Sequence, residues 1–157
     1  MKTLILNGSP KRNGDTAALI GEFTKHLNGE MQSVYPYLEA CDNLVIASPI
    51  WFSELSGPLL NLASRIQTYF IARVFRHEPI PIKPKNGVLL LVGGKPGTQL
   101  KAISTAHTIF RNLNALPCIA SVFSINTNEI PSASDLSALE GARDTAFLLN
   151  RLYPVKI

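Results

Sequence analysis

Five consecutive aliphatic residues, Val88–Val92, run into a pair of glycines, and this run narrows the possible folds more than any other feature of the chain. A strand with one wet face alternates apolar and polar residues. A strand without alternation needs both faces covered, which is the situation inside a parallel sheet flanked by helices. Leu44–Ser48, LVIAS, repeats the pattern, and Thr3–Leu6 or Asn7 and Ile119–Ile125 supply further strands. Gln32–Tyr37, with Val34 and two tyrosines, reads as a short second strand. Helical patterns lie between them. Leu19/Ile20, Phe23 and Leu27 recur at helical spacing before Gly29, and Leu55, Leu59, Leu62, Ile66 and Phe70 form a stripe behind Ser56 and Pro58. Ile103, Ala106, Phe110 and Leu113 mark another helix. A last one, capped by Ser134 or Asp135, carries Leu136, Leu139, Ala146, Leu149 and Tyr153 on one face. Strand and helix in alternation predict an α/β fold, a doubly wound five-stranded parallel sheet with helices on both faces. The 157 residues suit a single domain, 1–157.

In such sheets ligands sit beyond the carboxyl ends of the strands, where strand order reverses. Three loops of unusual composition follow strands and can meet there. The first, GSPKRNGDT at 8–16, combines glycines, hydroxyls and bases ahead of a helix. Free N–H groups and the positive end of the helix dipole make such a start an anion trap. Ser9 and Thr16 offer hydroxyls, Lys11 or Arg12 balances charge, and the N–H groups of residues 13–16 (Asn13, Gly14, Asp15 and Thr16) can point inward. The alternative is a solvated turn in which Asp15 or Thr16 caps the helix. The spacing is not that of a P-loop, because five residues separate Gly8 from Gly14 and Asp15-Thr16 follows in place of Lys-Ser/Thr. The second loop, Pro49-Ile50-Trp51-Phe52, places two aromatics after a strand, to close a core or to stack on a planar ring. The third, 93–99, has Gly93, Gly94 and Gly97, which permit close backbone approach or simply form a turn before a helix.

The bulk properties exclude several classes. No segment approaches the ~20 apolar residues of a membrane helix, and the N-terminal apolar run is too short for an export signal, so a cytoplasmic protein without membrane contact is expected. Cys41 and Cys118 form no C-x-x-C pair, and His26, His77 and His107 have no metal-ligand spacing, so neither a disulfide nor a metal is expected. Eight of the fifteen Lys and Arg residues fall between Leu55 and Asn128 against Glu78 alone, a basic flank suited to an anionic nucleotide. No nucleic-acid-binding motif accompanies it, so no nucleic acid partner is expected. No nucleophile elbow or paired acids stand out. A ring-binding site without catalytic side chains points to chemistry supplied by a cofactor.

At this point the chain resembles the flavodoxin-like NAD(P)H-dependent FMN reductases and quinone reductases. ILNGSPKRNGDT is similar to that family's strand, G-S-P, basic, glycine and threonine phosphate loop. ASPIWFSELSGPL is similar to its S-P-aromatic…S-G-x-L segment, and the glycine loop at 93–99 stands where its third flavin loop belongs. The resemblance implies FMN, with phosphate at Ser9, Lys11, Arg12, Asp15 and Thr16 and the ring near Pro49, Ile50, Trp51, Phe52 and Gly93–Gly97. It also implies a homodimer, and hydride transfer from NAD(P)H through FMN to a small acceptor such as a quinone, free flavin or azo compound. Arg73, Arg76 or Lys95 would meet the phosphates of the nicotinamide nucleotide. The chain departs from the family at Asp15, where an asparagine is usual, at Leu60 and Ser64, and in the short stretch before the third strand. It lacks the clustered cysteines of the iron–sulfur branch. The alternatives are a flavodoxin-type electron carrier, against which a pI near 9.2 counts, and a degenerate, non-catalytic relative.

Overall fold

The structure is a computed structural model that describes residues 1–11, 13–26, 30–31 and 36–153. Its strands are β1 (Lys2–Asn7), β2 (Glu30–Met31), β3 (Asn43–Pro49), β4 (Asn86–Gly93) and β5 (Cys118–Ile125). The helices are α1 (Asp15–Lys25), α2 (Pro36–Ala40), α3 (Gly57–Arg65), α4 (Gln67–Val74), α5 (Leu100–Asn112) and α6 (Leu136–Leu152), with a 3-10 turn at Ser132–Ser134 before α6. All pairings are parallel, in the order β2-β1-β3-β4-β5. The chain therefore turns back on itself between β1 and β3, and the crevice above those two strands is the topological switch point.

Four of these strands are of full length. The fifth expected strand is reduced to two residues, Glu30 and Met31, which pair with Lys2 and Thr3 at the edge. The second strand read over Gln32–Tyr37 is corrected in part: Pro36 and Tyr37 open helix α2, because proline at a helix start forfeits no hydrogen bond. Residues 32–35, and Leu27 and Gly29 of the first helical pattern, lie outside the described residues.

The aliphatic run on β4 explains the layering. Val88, Leu90 and Val92 face one way and join Leu19 and Phe23 of α1 and Ala138, Ala142, Ala146 and Leu149 of α6. Leu89 and Leu91 face the other way, with Leu59, Ile66, Ala102, Ala106 and Phe110. Both faces are thus buried, as the unbroken run requires. α6 meets the sheet through alanines, and Leu136, expected on its inner face, is instead 78% exposed. The single stripe from Leu55 to Phe70 is divided between α3 and α4, with Ile66 at the junction of the two helices. Ser56 precedes α3 as expected, but its side chain forms no cap; its backbone N–H donates to Ser48 Oγ at 3.0 Å. Asp135 does cap α6, accepting from Ala138 N–H at 3.0 Å. Among the described residues no helix is long and apolar enough to cross a membrane.

Candidate functional site

The carboxyl ends of β1, β3, β4 and β5 open into a cleft of about 430 Å³, within the range of small-molecule sites. It is lined by Ser9, Lys11, Gly14, Asp15 and Thr16 from the first loop, and by Pro49, Ile50 and Trp51 after β3. Val92, Gly93 and Gly94 at the end of β4 and Thr127 and Asn128 after β5 complete the wall. Three loops separated by dozens of residues therefore share one rim.

Backbone bonds hold this rim in place. Gly8 N–H donates to Ala47 O at 2.9 Å and Ile50 N–H to Val92 O at 2.7 Å, so β1, β3 and β4 remain in register as they end. Within the first loop Ser9 N–H donates to Asn7 Oδ1 at 2.9 Å and Lys11 N–H to Ser9 Oγ at 3.3 Å, folding the basic segment over the end of β1. α1 then begins at Asp15, behind Gly14, which offers no side-chain cap. Its first amides lack intrahelical acceptors and stand beside the cleft. Thr16 is buried.

Asp15 does not cap its own helix. Its Oδ1 accepts from the backbone N–H of Ser132 at 3.1 Å, linking the first loop to the turn ahead of α6. That turn is itself fixed, since Ser132 Oγ donates to Ser124 Oγ at 2.9 Å and Ser124 Oγ to Asp135 Oδ2 at 2.8 Å.

The aromatic loop is a two-residue hairpin. Trp51 and Glu54 exchange both backbone hydrogen bonds at 3.0 Å, and Phe52 and Ser53 occupy the tip at φ 51° and 62°. Two positive φ values define a type I′ turn, a geometry that usually calls for Asn or Gly. Holding non-glycine residues there costs about 1–3 kcal/mol each. Glu54 anchors the base, accepting from Leu55 N–H at 2.9 Å and from Thr105 Oγ1 of α5 at 3.1 Å. Trp51 lines the cleft, whereas Phe52 projects fully into solvent and does not.

The glycine loop supplies close approach at two positions. A Cβ at Gly93 would stand 2.9 Å from Ile125 Cγ2, and one at Gly94 2.7 Å from Asn128 Oδ1. Thr127 N–H donates to Gly93 O at 3.1 Å and Asn128 N–H to Gly94 O at 3.4 Å, drawing the loop after β5 against it. Gly97, at φ 85°, makes the turn before α5 and is not part of the cleft wall. Of the residues singled out from sequence, Ser9, Lys11, Asp15, Thr16, Pro49, Ile50, Trp51, Gly93 and Gly94 are gathered here. Asn13, Phe52 and Gly97 are not, and Arg12 lies outside the described residues. Gly14, whose N–H was counted with those of 13–16, is gathered here too, whereas Val92, Thr127 and Asn128 were missed.

Arg73 and Arg76 belong elsewhere. Arg73 Nη2 donates to Asn112 Oδ1 at 3.1 Å and Nη1 to Asn114 Oδ1 at 3.4 Å, and Lys85 N–H, just before β4, donates to Asn114 O. This places Arg73 at the amino ends of the strands, a sheet's length from the cleft. Arg76 follows it there, 3.9 Å from Glu78. Their expected contact with a nucleotide in the cleft is therefore set aside, while Lys95 stays in the glycine loop.

The same far rim holds four groups of shifted ionisation. Burial pushes the Cys41 thiol up and the Lys85 ammonium down; Lys85 Nζ donates to Leu38 O at 2.6 Å. Burial also pushes Tyr153 up. At Asp42 burial acts upward but is outweighed by Lys83 Nζ at 2.6 Å and the N–H of Lys2 at 2.7 Å, so its carboxyl sits below the ordinary carboxylate range.

Comparison with known proteins gives a likeness of fold. No family model matches the chain, and no curated protein does. Among solved structures it is similar to the Trp repressor binding protein from Bacillus subtilis, with 18% identity, 92% of this chain and 99% of that chain covered, and a TM-score of 0.71. A flavodoxin, WrbA-like protein from Agrobacterium tumefaciens matches at 13% identity over 96% of both chains, TM-score 0.69. An FMN-dependent NADH-azoreductase from Bacillus anthracis, solved in complex with FMN, matches at 12% identity over 95% of this chain and 99% of that one, TM-score 0.70. The flavodoxin-like architecture read from the motifs is the architecture of these neighbours.

Proposed function

We propose that the cleft binds FMN and that the protein passes hydride from NAD(P)H through the flavin to a small acceptor, a quinone, free flavin or azo compound. The observation that carries this reading is the convergence of an uncapped helix start, an exposed-edge aromatic and a glycine-lined wall at the β1/β3 switch point. The fold neighbours include one described as FMN-dependent and solved with FMN, and one described as an NAD(P)H:quinone oxidoreductase.

The lining fits such a group. The amides opening α1 and the hydroxyls of Ser9 and Thr16 are donors for a phosphate, with Lys11 beside them. Pro49, Ile50 and Trp51 offer an apolar wall of the kind a flat ring needs. Gly93 and Gly94 let this segment pack closely against Ile125 and Asn128 and remain in the cleft wall, where their backbone would be available to the polar edge of the ring. Bound flavin supplies two-electron redox chemistry that no side chain in the cleft provides. The chain's own part is to bind, to orient the ring and to leave its other side open to the nicotinamide donor and then the acceptor. Lys95, exposed on the glycine loop, is the cation we assign to a nucleotide phosphate. The bare aromatic tip at Phe52 supports the homodimer expected from the resemblance.

The purified chain should acquire a flavin spectrum on addition of FMN and then oxidise NADPH or NADH in steady state with a quinone present. A carrier of the flavodoxin type would bind flavin without such turnover. A chain that stays colourless and quenches no flavin fluorescence would refute the reading.

A further inference from the structure

The anion cradle contains its own anion. Asp15 is the first residue of α1 and lines the cleft beside Ser9, Lys11 and Thr16. Its carboxylate cannot swing away freely, because Oδ1 holds the N–H of Ser132, and Ser132 is wholly buried in the hydroxyl chain through Ser124 to Asp135. Lys11 is exposed and therefore screened by solvent. Among the described residues of the wall, Lys11 is the one cation and Asp15 the one anion, and they stand beside the amides of α1 and two hydroxyls.

A phosphomonoester carries nearly two negative charges at neutral pH, with a second ionisation near pH 6. Beside a fixed carboxylate the dianion is repelled, the monoanion less so, and a neutral hydroxyl is welcome because it donates to a carboxylate oxygen. On the reading that the cleft holds a flavin, we propose that Asp15 sets its charge selectivity: the site takes the uncharged, phosphate-free flavin almost as well as FMN. Riboflavin, or another flavin ending in a free ribityl hydroxyl, then belongs to the ligand class of this chain.

The test is fluorescence titration of the full chain and of Asp15→Asn with FMN and with riboflavin, at matched ionic strength. The wild-type protein should favour FMN by less than about tenfold at pH 7, and the preference should widen by about tenfold or more in Asp15→Asn, through tighter FMN binding. The substituted amide keeps an oxygen for Ser132 N–H, and an unchanged melting temperature verifies that the turn is intact. If that variant fails to fold, the wild-type pH series decides alone. Lowering the pH from about 7.5 to about 5.5 should tighten FMN and leave riboflavin unchanged, because only FMN has a phosphate to protonate. A large FMN preference that neither the substitution nor the pH series alters overturns the proposal while leaving the flavin site standing. Quenching of neither flavin by either protein overturns the flavin reading itself.

Discussion

Replacing Gly8 with alanine is a direct probe of how the cleft is built. Gly8 follows β1 and begins the first loop, and a Cβ there would lie 2.3 Å from Ser56 Oγ, 2.6 Å from Leu59 Cδ1 and 2.7 Å from Leu59 Cγ. Carbon contacts are comfortable at about 3.5–4.0 Å, so α3 or the loop must give by about 1 Å. Ser56 is fully buried and Leu59 nearly so, which leaves little room for relaxation. Overpacking of this kind costs typically 1–3 kcal/mol, and with three close contacts Gly8→Ala should lose about 2–3 kcal/mol. For a chain of this size that is a fall in Tm of about 4–12 °C. Leu59→Ala alone should cost about 2–5 kcal/mol through the cavity it leaves. That cavity is where the new methyl group would go, so the double variant should be more stable than the sum of the two losses by about 1–2 kcal/mol. Urea denaturation of the four proteins, with unchanged m-values, measures the cycle. A loss below about 0.5 kcal/mol for Gly8→Ala, or costs that add to within about 0.5 kcal/mol, would refute the close approach of β1 to α3.

Two further predictions concern the far rim. Asp42 has a folded-state pKa below its unfolded value, so its stabilising effect is present above the ordinary carboxylate range and is lost as the pH falls through the lowered folded value. Asp42→Asn should flatten the acid limb of Tm against pH, and an unaltered limb would show that Lys83 and Lys2 do not stabilise the carboxylate. Lys85 and Cys41 act in opposite directions in alkali. The folded chain releases the Lys85 proton before the unfolded chain does, which makes stability rise with pH, whereas the buried Cys41 thiol keeps its proton longer, which makes it fall. Lys85→Met leaves the second effect alone, so melting between pH 8 and pH 10 should decline more steeply than in wild type. An equal or shallower decline would contradict the buried ammonium.

The parts of the site that were legible from sequence are those whose local chemistry forces a conformation. Val88–Val92 had to be covered on both faces, and the glycine and hydroxyl pattern at 8–16 had to end a strand and begin a helix. Once both lay in a parallel sheet, their loops shared a rim by topology alone. Thr127 and Asn128 escaped notice because they are ordinary polar residues. The signal was available in the strand Ile119–Ile125, whose end must reach the same rim as the others. Phe52 was misplaced because a Phe-Ser pair does not suggest two left-handed residues, and the hairpin turns its ring outward. Ile66 carries no mark of a helix junction, neither glycine nor proline. Arg73 and Arg76 lie away from the cleft because the helices between them and the β3 loop carry the chain toward the amino ends of the strands. From Gly57 to Val74, helix at about 1.5 Å per residue can span up to about 27 Å, enough to reach the opposite rim.

The meeting of Lys2, Asp42, Asn86 and Tyr153 has a practical consequence. Asp42 receives the amide of Lys2, and Asn86 donates to the Tyr153 hydroxyl at 3.0 Å, so both ends of the described chain are gathered at the amino edge of the sheet. The cleft is on the opposite pole. A fluorescent label placed at Lys2 would therefore sit at the base of the molecule, and a protein immobilised through that residue would present its opening to the bulk.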